Sequence, residues 1–285
     1  MKILLVFLLI ILISCNNTNL QKDEDSSSLL IGTFNIEWLG DGIDDKNPRN
    51  EEDYKNIALV IEDSGAELLA LQEVENLESL KRILKHLQNW KFIFTDEDGS
   101  QNNCYIFKSY LDLEDNGTFD DLQIDGFGTR KGAVAKLKYG NLELILLNVH
   151  LKSTSSYDNT EEKKQISYEL RRKQSIEIVE FRDSILNNNI SNNIIVLGDF
   201  NDNPLRNEKS NILTLDSNFF FATKGLESCK SQYYDLIDHI IISENLINNL
   251  EPVSAYVYDF ATILTKEQVD KVSDHCPVIV RINVD

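Results

Sequence analysis

Apolar runs of strand length recur along this chain, and the residues on which several of them end constrain its fold more than any bulk property does. Leu29-Leu30-Ile31-Gly32-Thr33-Phe34 runs into Asn35, and Leu68-Leu69-Ala70-Leu71-Gln72 runs into Glu73. Leu144-Ile145-Leu146-Leu147-Asn148-Val149 runs into His150, and Ile194-Ile195-Val196-Leu197-Gly198 runs into Asp199-Phe200-Asn201. One polar residue after a buried strand is ordinary. Several that can bind metal or move protons, lined along one sheet edge, would converge on a cleft.

Strands are expected over residues 29–34, 67–71, 91–94, 105–108, 132–138, 142–149, 194–197, 237–242 and 278–283. Helical spacing predicts helices over 54–63, 77–87 and 167–186; in the first, Tyr54, Ile57, Ala58 and Ile61 share one face. Many short strands with helices between them indicate an α/β or α+β domain. No repeat, proline-rich linker or composition break follows Leu29, so residues 29–285 are expected to form one catalytic domain.

The N-terminal segment reads as a targeting signal. Lys2 precedes an unbroken apolar run over residues 3–13, too short for a bilayer span of about 20 residues but suited to a signal-peptide core. It ends in Leu12-Ile13-Ser14-Cys15, which resembles a bacterial lipobox. Residues 1–14 would then be a lipoprotein signal peptide, Cys15 the lipidated N-terminus, and polar residues 15–28 a flexible tether. The alternative is an ordinary secretory signal with an incidental cysteine. The lipobox reading predicts an exported protein anchored through Cys15 to a bacterial membrane, at the outer membrane or cell surface.

With 47 acidic and 28 basic side chains, the chain carries a net charge of -19. That surface repels polyphosphates at long range and disfavours tight non-specific DNA wrapping. It leaves open a metal-bridged phosphate, because a bound dication inverts the local potential. After the leader, Cys104, Cys229 and Cys276 remain, with no C-x-x-C pair to suggest zinc; one disulfide would fit an oxidising compartment, with the pair left open.

Phosphodiester cleavage needs charge withdrawn from a non-bridging oxygen, a deprotonated water and a stabilised leaving oxygen. Glu73 with Asn35 beside it suits a hard cation such as magnesium, although a strand-end or helix-capping acid explains Glu73 equally. Asp199 and Asn201, two apart, share a face if extended; an Asx-type turn is the alternative. Gly198 allows close backbone approach. Ser273-Asp274-His275-Cys276-Pro277 sets an acid and an imidazole at the head of a strand, and Asp238 is a plausible partner to orient His275. Lys152, Arg171, Arg172 and Lys173 could meet phosphates, but a solvated helix face accounts for them as well. Asp41, Asp44 and Asp45 lack EF-hand spacing and read as a loop, and His86 reads as solvated.

The ordered set Thr33-Phe34-Asn35-Ile36, Leu71-Gln72-Glu73-Val74, Asn148-Val149-His150-Leu151-Lys152-Ser153, Gly198-Asp199-Phe200-Asn201-Asp202, Ile237-Asp238-His239-Ile240 and Ser273-Asp274-His275-Cys276-Pro277 resembles the endonuclease/exonuclease/phosphatase superfamily, deoxyribonuclease I-like in carrying His150. The resemblance implies a four-layer sandwich of two packed mixed β-sheets flanked by helices. It implies a magnesium site (manganese or calcium as substitutes) held by Glu73 and Asn35, with Asp274 as a further ligand. His275 would be the general base oriented by Asp238. Asp199 and Asn201 would position the nucleophile and stabilise the transferring phosphoryl group, and His150 would bind the phosphate or assist the leaving oxygen. Glu97 is a weak candidate for the acidic partner of His150.

These readings predict a monomeric, magnesium-dependent phosphodiesterase without an obligate protein partner, with nucleic acid as the first substrate to expect. A lipid or inositol phosphatase, or a sphingomyelinase-type enzyme, keeps the chemistry and changes the substrate; Phe219-Phe220-Phe221 is the one conspicuous aromatic run that could enter a bilayer. A non-catalytic binding protein on the same fold is the remaining alternative.

Overall fold

The computed structural model describes residues 27–95, 99–124, 128–155, 157–230 and 235–284. The leader, Cys15, nearly all of the tether and Glu97 lie outside these residues.

Two six-stranded mixed sheets pack face to face. The strands are β1 (Ser28–Leu39), β2 (Leu68–Val74), β3 (Trp90–Phe94), β4 (Asn102–Lys108), β5 (Asp112–Phe119) and β6 (Gly132–Tyr139), followed by β7 (Leu142–His150), β8 (Ile194–Asp199), β9 (Phe220–Phe221), β10 (Asp238–Ile242), β11 (Tyr256–Val257) and β12 (Val278–Asn283). One sheet has the order β11-β12-β1-β2-β4-β3, the other β5-β6-β7-β8-β10-β9. Each has one parallel pair at its centre, β1 with β2 and β7 with β8. A parallel pair needs a crossover. Helix α1 (Glu51–Asp63) supplies the first and helix α3 (Glu161–Asn187) the second. Shorter helices α2 (Leu77–Leu84), α4 (Leu213–Asp216) and α5 (Lys266–Val272) complete the chain.

Side chains alternate across the strands and so divide the core into three parts. Leu29, Ile31, Leu68, Ala70, Leu146, Ile195, Leu197 and Val280 fill the space between the sheets. Phe34, Leu69 and Leu71 face outward onto Tyr54, Ile57 and Ile61 of α1. Ile145, Leu147, Ile194 and Val196 face outward onto Ile178 and Ile185 of α3. Strands covered on both faces carry unbroken apolar runs, which is why β7 and β8 were readable from sequence.

Parallel pairing sets the carboxyl ends of β1, β2, β7 and β8 along one edge of the sandwich, where open α/β sheets bind ligands. Under that edge the core turns polar. Gln72 Nε2 donates to Asn148 Oδ1 at 2.7 Å, and Asn148 Nδ2 donates to the carbonyls of Leu71 at 3.0 Å and Cys104 at 2.9 Å, tying one sheet to the other. Gly198 is fixed by close approach: at φ +149°, a Cβ would lie 1.9 Å from the Val149 carbonyl oxygen.

Several expected boundaries move. Helix α1 begins at Glu51 because Asn50 caps it with a reciprocal Asp53 bond, and α3 begins at Glu161 behind a Thr160 cap. Helix α2 stops at Leu84, three residues early. Strands β5, β9 and β11 and helices α4 and α5 were not foreseen; β5 is a largely exposed edge strand without apolar alternation. Cys229 and Cys276 form a disulfide, and Cys104 is a buried free thiol. Phe219 and Phe221 are buried and only Phe220 is exposed, so that run is chiefly core.

Candidate active site

Asn35, Glu73, His150 and Asp199 meet at the strand-end edge. Asn35 Nδ2 donates to Asp199 Oδ2 at 3.1 Å and approaches Glu73 Oε1 at 3.4 Å. His150 Nε2 lies 3.7 Å from Glu73 Oε1 and 3.5 Å from Asp199 Oδ2. Strand β10 runs antiparallel to β8 with Asp238 opposite Asp199, and β12 runs antiparallel to β1. Those pairings bring the start of β10 and the head of β12 to the same edge. There His275 Nδ1 meets Asp238 Oδ2 at 2.7 Å, while its Nε2 stands 3.9 Å from Asp199 Oδ2.

The backbone is strained where these groups are presented. Between Asn35 and Leu39 strand β1 bulges against β2, and Glu37, Trp38, Glu73 and Asn201 all have φ between +39° and +62°. Non-glycine residues hold such angles only when their surroundings over-determine them. Arg49 does much of this for the bulge. Its buried guanidinium donates to the carbonyls of Ile36, Glu37, Trp38, Lys271 and Val272, binding the bulge to the end of α5. Trp38 N–H in turn donates to Glu73 Oε2 at 3.0 Å.

Asp199 and Asn201 do not share the face of an extended segment. The strand ends at Asp199, whose Oδ1 accepts the Asn201 N–H at 2.8 Å, so the pair is an Asx-type turn. The Asn201 amide donates to the Leu151 carbonyl at 3.1 Å, beside His150. Asp274 is exposed at the rim, its Oδ1 3.7 Å from His275 Nε2 and its N–H bonded to Glu37 Oε2.

Electrostatics separate the two imidazoles. Burial, reinforced by Arg130, His275 and Lys152, pulls His150 well below its usual range and keeps it neutral. Burial also opposes charge on His275, but Asp238, Asp199 and Asp274 outweigh it and hold that imidazole well above 6.5. Asp199 is pushed up to about 7, by burial first and by Asp238 and Glu73 in addition, against the pull of His275. Acids crowded until one retains its proton form a set that a dication relieves, and carboxylate and amide oxygens are the donors magnesium prefers. The Asn35 Oδ1 that accepts the Glu37 N–H at 3.0 Å has a second lone pair to offer. Among the described residues, Asp199, Asp238 and His275 bring ligand atoms within 4.8 Å of one another, and with the Glu73 carboxylate beside them this donor set fits a divalent ion, although Asn35 turns its Nδ2 rather than its Oδ1 toward Glu73 and Asp199.

Arg49 and Glu37 belong to none of the sequence motifs, and the one disulfide that the sequence left unassigned is Cys229–Cys276. A solvated helix face is the expectation for Arg171, whereas Arg171 is buried and donates to the carbonyls of Lys152 at 2.9 Å and Asn201 at 2.6 Å, holding the loops behind His150 and Asp199. Arg172 pairs with Glu169 on the exposed face, and His86 pairs with Glu51. His239 points away from the cleft, its ring between Thr223 Oγ1 and the Asp202 carbonyl. Among the described residues His150 Nδ1 has no partner. Asp41, Asp45 and Glu75 gather in a second, more exposed acidic group.

A model of the Endonuclease/Exonuclease/phosphatase family matches residues 32–275. Truncated Caenorhabditis elegans TDP2 superposes with a TM-score of 0.66 at 16% identity, covering 90% of this chain and 98% of that one. An endonuclease/exonuclease/phosphatase family protein from Bacteroides thetaiotaomicron gives 0.62 at 16% identity over 90% and 95%. The mannosyl-6-phosphatase Bt3783 from the same organism gives 0.62 at 15% identity over 88% and 98%. No curated protein matches the sequence. At these identities the structural likenesses speak for the fold alone.

Proposed function

The chain belongs to the endonuclease/exonuclease/phosphatase family, a family of hydrolases, and from that premise we propose that it is a magnesium-dependent phosphodiesterase acting on nucleic acid. The observation that carries this reading is the meeting of Glu73, His150, Asp199, His275 and Asp238 at one edge, each within 3.9 Å of the next in that order.

Glu73 and Asn35 would hold the metal, with Asp274 at the rim. A bound ion would supply positive charge to a non-bridging phosphate oxygen. The neutral form of His275 takes the proton of the attacking water at Nε2, while Asp238 fixes the Nδ1–H tautomer and steadies the imidazolium that results. Asp199, whose Oδ2 lies 3.9 Å from His275 Nε2, orients that water. Neutral His150 donates its Nε2–H to the phosphate or the leaving oxygen, under the positive field of Arg130 and Lys152. Asn201 and Arg171 keep the turn in place.

Small phosphate esters of sugars or lipids are the second reading, favoured by the net charge of -19, which penalises a long polyanion more than a small one. Export and anchoring through Cys15 are also proposed, on the leader sequence alone; among the described residues no helix is long and apolar enough to cross a membrane.

The test uses the detergent-solubilised full chain with magnesium and, in separate arms, plasmid DNA, single-stranded DNA, abasic DNA, sphingomyelin, a phosphoinositide and mannose 6-phosphate. Turnover of DNA, lost with EDTA and in His275→Ala, is expected. Turnover confined to a small ester selects the second reading. Binding of DNA without turnover of any ester would leave a binding protein on a catalytic fold.

A further inference from the structure

The residue that follows His275 is half of a disulfide. Cys276 is bonded to Cys229, and Cys229 lies on the chain that leads into Asp238, the partner of His275. A closed circuit results. It runs along the chain from Cys229 to Asp238, across the 2.7 Å bond from Asp238 Oδ2 to His275 Nδ1, along the chain to Cys276, and back through the disulfide.

The segment that bears His275 needs such a tie. Residues 273–277 lie between α5 and β12, in neither helix nor strand. On the β1 side they are well held: Ser273 Oγ donates to the Asn35 carbonyl at 2.7 Å, the Asp274 N–H to Glu37 Oε2 at 3.1 Å, and Arg49 to the Val272 carbonyl at 3.1 Å. On the β10 side the dyad bond is joined by Lys230 Nζ, which donates to the Ser273 carbonyl at 3.1 Å from the residue beside Cys229. Asp238 is itself poorly satisfied. It stands opposite Asp199 across the β8–β10 pairing, and among the described residues its buried Oδ1 has no partner. A buried carboxylate with one oxygen unpaired gains by turning toward water.

We infer that the Cys229–Cys276 disulfide is a covalent clasp that positions the His275–Asp238 dyad, so that opening it lowers turnover without dismantling the metal site. Cys229 is only partly buried, which gives a reductant access. A dithiol thiolate attacks the Cys229 sulfur and expels the Cys276 thiolate. The second dithiol sulfur then closes to the reductant's own disulfide, leaving two protein thiols and two electrons transferred. Both cysteines are positioning residues in this account; neither touches substrate.

The turnover arm rests on the phosphoesterase reading above, so the experiment adds a readout that does not. The full chain is reduced with dithiothreitol at saturating magnesium, below its melting onset, and reoxidised with glutathione disulfide. Circular dichroism reports folding, and proton NMR follows the downfield signal of the His275 Nδ1–H held by Asp238. Reduction is expected to remove that signal and to lower kcat about tenfold or more, part of the roughly hundred- to ten-thousand-fold that a positioned base supplies. KM should stay within about twofold, since ground-state binding does not use the dyad. Reoxidation should restore both signal and kcat, and Cys229→Ser should behave as the reduced protein. If that variant fails to fold, the reversible reduction of the native chain decides alone.

A folded, reduced protein that keeps both signal and kcat overturns the inference. So does a loss of kcat that only follows the unfolded fraction. Loss of the dyad signal in a protein that turns over no phosphate ester would retain the clasp and remove the proposed function.

Discussion

Replacing Asp238 by Asn reads catalysis and stability together at one buried position. The carboxylate lies 2.7 Å from His275 Nδ1 and opposite Asp199, with its second oxygen unpartnered. A hydrogen bond to a charged group contributes about 1.5–3 kcal/mol, so losing its charge when the imidazolium forms lowers kcat roughly ten- to hundredfold. If the new amide donates to Nδ1, the ring is locked with the wrong nitrogen protonated, and the loss moves toward the roughly ten-thousandfold of the equivalent change in serine-protease triads. Stability should fall as well. The amide takes the largest favourable partner away from a buried imidazolium, and relief of the crowding at Asp199 offsets only part of that, so the unfolding free energy should drop by about 1–3 kcal/mol. Steady-state kinetics at saturating magnesium and calorimetric melting measure the two effects on one preparation. An unchanged kcat, or a change confined to KM, would refute the role given to the dyad.

Other expectations concern the frame of the site. Arg49→Met leaves the Ile36, Glu37, Trp38, Lys271 and Val272 carbonyls without their donor, and should cost about 3 kcal/mol or more by denaturant titration with a parallel loss of activity. Gly198→Ala drives a Cβ into the Val149 carbonyl oxygen at 1.9 Å and should destabilise by more than about 4 kcal/mol; a soluble variant with an unchanged melt would contradict the register of β7 and β8. Burial pulls His239 down to about 4 from its ordinary 6.5, so the unfolded chain takes up this proton first as pH falls. The neutral ring's stabilisation is complete above pH 6.5 and is lost between there and pH 4, a loss on the order of 3 kcal/mol that a His239→Gln variant should lack in denaturant melts across that window.

The strands that carry the site were legible because β7 and β8 are buried on both faces and their apolar runs stop abruptly at His150 and Asp199. Strand β5 was not, since an edge strand reading Asp-Leu-Glu-Asp-Asn-Gly-Thr-Phe has too little buried surface to impose a pattern. Arg171 was within reach: Ser167, Leu170, Arg171, Gln174 and Ile178 form one buried stripe of α3, and an arginine on such a stripe must find carbonyls or carboxylates. Arg49 gave no comparable signal, because its partners are backbone carbonyls of segments far away in the chain. The Asx turn at Asp199 depends on the left-handed backbone of Asn201, which residue spacing alone does not reveal. Nor does spacing pair Cys229 with Cys276 rather than Cys104; only the fold brings the first two together.

The central proposal is that Glu73 and Asn35, with Asp274 at the rim, would hold the catalytic dication. Anomalous diffraction from crystals soaked in manganese, which magnesium sites accept, locates the ion directly. The account predicts a peak about 2.0–2.2 Å from a Glu73 carboxylate oxygen, lost in Glu73→Gln. A peak confined to the Asp41, Asp45 and Glu75 group, with none at Glu73, would contradict it.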